Sequence, residues 1–159
     1  MTTAPKKDSG GIKILIPVGE LVSRKLIAQA LHVLSAFRNP MVLLFHVIEI
    51  PSRTAALETE PYRQEIDEAQ KRLNELAEWL RSQSISTQVK VVVARNVPEG
   101  ITDEADIGEY SIIFLMKRQF RKDWRRLFRR SVSAQVVRDS KCMVLTAPLD
   151  DRPTAEEIQ

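Results

Sequence analysis

Along the chain, short runs of apolar, largely β-branched residues alternate with longer stretches in which apolar positions recur every three or four residues. The first run, residues 12–18 (IKILIPV), contains Pro17, is followed by Gly19, and predicts a buried strand entering a loop. Ser23 is placed to cap the next helix, and Ile27, Ala30, Leu31 and Leu34 share one face of it. Asn39-Pro40 is expected to end that helix, because the residue before a proline is driven out of the α region. Residues 41–50 (MVLLFHVIEI) are apolar almost throughout, the pattern of a central strand covered on both faces.

After a loop over 51–60, residues 61–83 carry Tyr62, Ile66, Ala69, Leu73, Leu76 and Leu80 in steps of three and four. Asp67/Lys71 and Glu68/Arg72 place opposite charges four apart on other faces, so this is the clearest helix in the chain. The acids Glu65, Asp67, Glu68, Glu75 and Glu78 are read as its solvated faces. A third strand is predicted over 87–94 (TQVKVVVA), a short helix over 98–109 and a fourth strand over 112–116 (IIFLM). A last helix over 131–138 and a fifth strand over 143–147 (MVLTA) follow. Strands alternating with helices must pair in parallel through right-handed crossovers. The expected fold is α/β, a three-layer domain over residues 12–147 with a five-stranded parallel sheet flanked by helices. Residues 1–11 and the acidic residues 148–159 are expected to be a flexible leader and tail.

Bulk composition narrows the class. A chain of 159 residues buries roughly two thirds of its unfolded surface as one domain, without needing a metal or disulfide. The single cysteine, Cys142, excludes an internal disulfide and fits a reducing compartment. The longest apolar runs fall far short of the ~20 residues that span a bilayer, and the first residues lack an apolar signal core. The expectation is a cytoplasmic protein without a transmembrane segment.

Charge changes the picture more. The formal net charge of +3 conceals a segregation, because residues 117–130 (KRQFRKDWRRLFRR) hold eight of the 24 basic residues and one acid, Asp123. Drawn as a helix, Phe120, Trp124, Leu127 and Phe128 share a face of about 100° and the cations lie mostly opposite. One reading is a stripe packed on the domain or a partner with its cations solvated. The other is an anion-binding surface for nucleic acid, acidic lipid or a phosphorylated small molecule. Its cations would be Arg95, Lys117, Arg118, Arg121, Arg125, Arg126, Arg129 and Arg130.

Several local strings, in order and on the predicted elements, resemble the universal stress protein family. They are Ile14 to Val18, Leu44-Phe45-His46-Val47, Arg95-Asn96-Val97-Pro98-Glu99-Gly100-Ile101, Arg130-Ser131-Val132 and Cys142-Met143-Val144-Leu145. The resemblance implies the adenine nucleotide alpha hydrolase-like variant of this fold, and a homodimer formed around the last strand. By position it implies nucleotide-pocket walls at Pro17, Val18, Val47, Met116, Ser131 and Val132. One branch of that family binds ATP through Gly, two residues, Gly, nine residues, Gly, then Ser or Thr. Counting back from Ser131, those glycines fall on Arg130, Phe120 and Lys117, and Gly108 is the last glycine in the chain. Bare backbone cannot approach phosphates there. Where nucleotide-binding members carry an acid after the first strand, Gly19 stands, with Glu20 one place later. Arg95 adds a cation where the family often has glycine.

The expected function is therefore non-catalytic: a homodimeric domain of the branch without ATP, holding no cofactor and acting in a stress response or regulation through protein contacts. No arrangement suggests catalysis or a metal. His32 and His46 have no second ligand at metal spacing, Cys142 reads as a small core residue, and Ser131 reads as a helix cap without a nearby base. A phosphoacceptor receiver domain would need an Asp where Ala94-Arg95 stands, and neither a dinucleotide fingerprint nor a Walker loop is present.

Overall fold

The computed structural model describes residues 10–20, 22–50, 60–118 and 131–149. Five strands, β1 (Lys13–Pro17), β2 (Met41–Glu49), β3 (Ser86–Ala94), β4 (Ile112–Arg118) and β5 (Met143–Leu149), form one parallel sheet in the order β3-β2-β1-β4-β5. Helices α1 (Arg24–Leu34), α2 (Arg63–Ser82), α3 (Val97–Ile107) and α4 (Val132–Asp139) alternate with them, and a 3-10 turn at Glu60–Tyr62 leads into α2. The expected three-layer α/β architecture is the one observed. Residues 51–60 were expected to form a loop; 51–59 lie outside the described residues.

Alternation along each strand builds the two halves of the core. Ile14, Ile16, Leu44 and Phe114 face the layer of α1 and α2, where Ile27, Leu34, Leu73 and Leu80 meet them. Leu15, Leu43, Phe45, Ile113 and Leu115 face the opposite layer, closed by Ile101 and Ala105 of α3 and Val136 of α4. β2 is covered on both sides over seven consecutive residues, as its apolar run requires.

Helix α1 departs from expectation by stopping at Leu34, five residues before Asn39. Ser35 ends it: its N–H and its hydroxyl both donate to the Leu31 carbonyl, at 2.9 and 2.7 Å. Ala36 and Phe37 then bond three residues back, and Asn39, at φ 49°, turns the chain into β2. Competition from the serine hydroxyl acts here before the proline does. Gly11 passes under this turn so closely that a Cβ would stand 1.8 Å from the Asn39 carbonyl oxygen, so only glycine fits.

On α2 the buried residues are Ala69, Leu73, Leu76, Ala77 and Leu80, while Tyr62 and Ile66 are half-buried. Glu68 accepts a hydrogen bond from Gln64 at 3.0 Å instead of pairing with Arg72. Arg81 ties the end of α2 to β3 through two bonds to the Thr87 carbonyl, at 2.9 and 2.7 Å. On the other face, Lys90 of β3 pairs with the mostly buried Glu104 of α3 at 2.6 Å. These contacts hold both helices on the β2–β3 side of the sheet, where the mouth described below opens.

Candidate functional site

Strand order reverses between β1 and β4, since β2 and β3 extend the sheet to one side and β4 and β5 to the other. Ligands of open α/β sheets sit beyond the carboxyl ends of the strands at that point. A cavity of about 580 Å³ opens there. Its walls come from the ends of β1, β2 and β4 and the first turns of α2, α3 and α4.

The apolar part is formed by Pro17, Val18, Phe45, Val47, Leu115, Met116, Val97, Ile101 and Val132. Five of the six pocket-wall residues named from the sequence, Pro17, Val18, Val47, Met116 and Val132, therefore stand around one space. Ser131 is not on the lining. It caps α4, its hydroxyl accepting from the Ala134 N–H at 3.1 Å, and Ser133, two residues on, lines the cavity instead. At Gly100 the α3 backbone comes close to β2: an added Cβ would lie 3.0 Å from both methyls of Val47. That approach fixes how far α3 stands from the cavity floor.

The polar part contains residues that periodicity assigned to solvent. Glu65, Glu68 and Arg72 lie along one stripe of α2 beside Ala69, and all four reach the lining. The signal was present in their spacing of three and four from one another, adjoining a buried alanine. Glu20 and Glu49 complete the acidic side. Glu49 also accepts from the Val97 N–H at 3.3 Å, joining the end of β2 to the start of α3. Gly19 is exposed and a side chain there would meet nothing within 4 Å, so the β1 side of the mouth stays open. Four carboxylates face one guanidinium among the described lining residues.

His46, buried in β2, brings its Nδ1 to 2.7 Å from the Val18 carbonyl oxygen, bracing the ends of the two central strands. Among the described residues no cluster of His, Cys, Asp or Glu could hold a metal ion. Cys142 is half-buried at the opposite end of the sheet, and burial is the main cause pushing its thiol above the usual range, away from thiolate reactivity. Of the proposed anion-binding cations, Arg95 is exposed after β3 and off the cavity lining. Lys117 and Arg118 continue β4, two residues past its expected end, while Arg121, Arg125, Arg126, Arg129 and Arg130 lie outside the described residues. No described helix is long and apolar enough to cross a membrane.

Residues 12–148 match the family model described as the universal stress protein family. The chain belongs to the universal stress protein family. Solved universal stress proteins share its fold. One from Archaeoglobus fulgidus superposes with a TM-score of 0.61 at 19% identity, covering 85% of this chain and 92% of that one. A universal stress protein in complex with cAMP gives 0.58 at 18% identity, with 89% and 100% covered. A family protein from Arabidopsis thaliana with AMP bound gives 0.60 at 14% identity, with 91% and 97% covered. At these identities the likeness establishes the fold alone. Among curated proteins, none matches the chain.

Proposed function

We propose that this universal stress protein is a non-catalytic, homodimeric domain of the branch without ATP, cytoplasmic and acting in a stress response or its regulation through protein contacts. The observation that carries this reading is the sign of the cavity lining. Glu20, Glu49, Glu65 and Glu68 stand where a polyphosphate would add more negative charge, with Arg72 as the sole cation among the described lining residues. Like charges converging on one cleft oppose a further anion, and since all four carboxylates are exposed the effect is strongest at low ionic strength. The absence of any glycine after Gly108 adds a steric reason, since a main-chain phosphate loop of the family's kind needs glycine to bring bare N–H groups close.

Calorimetric titration and thermal unfolding with millimolar ATP and Mg²⁺ test it, and no heat and no change in Tm are expected. The measurement is sensitive: a ligand at one hundred times its Kd would add about 2.7 kcal/mol of stability. A Tm rise of several degrees with ATP would overturn the reading. A response to AMP or cAMP but none to ATP would support it, by locating the loss at the outer phosphates.

Charge segregation supports a second reading, in which residues 117–130 engage polyanions. Retention on heparin is then expected to fall steeply as salt rises and to vanish when Arg125, Arg126, Arg129 and Arg130 are changed to serine. Unaltered retention in that variant would remove it.

A further inference from the structure

Strand β3 is the sheet's other outer edge, and its two halves differ. The Ala94 carbonyl accepts from the Ile50 N–H at 3.0 Å, so Ala94 turns its main-chain groups toward β2. Alternation along the strand turns Lys90 and Val92 the same way and points the N–H and C=O groups of Thr87, Val89, Val91 and Val93 outward. At its start the chain closes this edge itself. The Thr87 carbonyl accepts twice from Arg81, at 2.9 and 2.7 Å. The Ile85 N–H donates to the Leu80 carbonyl, and the Ile85 carbonyl accepts from the Thr87 hydroxyl. Further along, no bond among the described residues reaches the outward groups of Val89, Val91 and Val93. The usual protections of an edge are missing there. The pairing with β2 runs over nine residues without a bulge, and 86–94 contains no proline. Its one charge, Lys90, is drawn onto Glu104 of α3 at 2.6 Å.

We propose that β3 pairs with β3 of a second copy of this chain, antiparallel about a two-fold axis at Val91. That register sets Val91 against Val91 and Val89 against Val93, so the three outward residues all meet as hydrogen-bonded pairs. Each Lys90 falls opposite a Val92 and keeps its own Glu104, so no cation stands directly opposite another. An axis at Lys90 would set lysine against lysine, and an axis at Val89 would need the Thr87 carbonyl that Arg81 already holds. The strip is thus its own complement, which argues for a copy as the occupant, and charge and capping together choose the register. The contact is small, so its dissociation constant is expected to be on the order of 1 mM. It acts between copies already concentrated, and is independent of any contact through β5.

Amide hydrogen exchange of the full chain, followed by NMR from tens of micromolar to millimolar protein, tests the pairing. The Val89, Val91 and Val93 amides are expected to exchange fast when dilute and to slow by at least ~2-fold at the highest concentration. Those of Lys90 and Val92, bonded to β2, stay protected throughout. Val91→Pro removes the central outward N–H and none of the bonds to β2, a position at which an edge strand accepts proline. It is expected to abolish the concentration dependence at Val89 and Val93 while Lys90 and Val92 remain protected. A variant in which those two lose protection has lost the strand, and the wild-type series then decides alone. Outward amides that exchange equally fast at every concentration, or that are protected even when dilute, would overturn the proposal. So would an unchanged concentration dependence in a Val91→Pro chain that keeps its strand. Amides along 143–147 report the last strand in the same spectra, so the failure of either contact is seen without the other.

Discussion

Replacing Phe114 by alanine is expected to lower the unfolding free energy by about 3–5 kcal/mol, measured as a shift of the urea midpoint at unchanged slope. Phe114 is 1% exposed and lies in β4, between β1 and β5. It packs with Ile14, Ile16 and Leu34 on the α1–α2 side of the sheet, where the strand order reverses. Interiors are packed too densely for those neighbours to close the space a ring leaves behind, so a cavity term adds to the lost transfer free energy. Phe114→Leu keeps most of the volume and is expected to cost less than about 1.5 kcal/mol. Val137→Ala, at a valine 54% exposed on α4, is expected to stay within about 0.5 kcal/mol. A loss at Phe114 no larger than at Val137 would contradict the placement of β4 inside the sheet. The cavity mouth depends on that placement, because Leu115 and Met116 follow on the same strand and line it.

The sheet was legible because its apolar runs are strong and local. β2 reads as covered on both faces from its residues alone, and the α2 period names four of the five residues it buries. The end of α1 was not legible, because a proline five residues on is a louder signal than a serine hydroxyl that takes a carbonyl from the ladder. Strand order was likewise hidden, since pairing is set by contacts between runs and not within any of them. The apolar half of the site could be named by resemblance, residue by residue, and Val18, Val47 and Met116 do share one cavity. Its charged half could not, because a hydrophobic period separates buried from unburied and says nothing about what an unburied residue faces. Glu65 and Glu68 are exposed by that measure and still line the cavity, because α2 runs past its mouth. The same ambiguity applied to His46, whose place in an apolar strand predicted a structural role. It has one, in its contact with the Val18 carbonyl.

In the homodimer proposed above, putting lysine at both Met143 and Thr146 is expected to raise the dissociation constant by at least ~100-fold and leave a monomer, because like charges brought together across an interface cost several kcal/mol. β5 pairs with β4 alone among the described strands, so its outer edge presents backbone N–H and C=O groups without a neighbouring strand. Such an edge invites pairing with another chain unless it is short, charged or covered. Among the described residues nothing of the kind protects it along 143–147 (MVLTA), and Met143 is 63% exposed. On α4, which precedes β5, Val137 is 54% exposed and only Val136 is buried. A two-fold contact through β5 would bring the added lysines of both copies to one seam, so two substitutions introduce four charges there. Met143 and Thr146 are exposed, so the fold itself should be little affected, which circular dichroism and an unchanged urea midpoint at low protein concentration would verify. Light scattering at tens of micromolar protein gives the mass directly. A wild-type chain already monomeric there, or a doubly substituted chain that remains a dimer, would place the partner surface somewhere other than this edge.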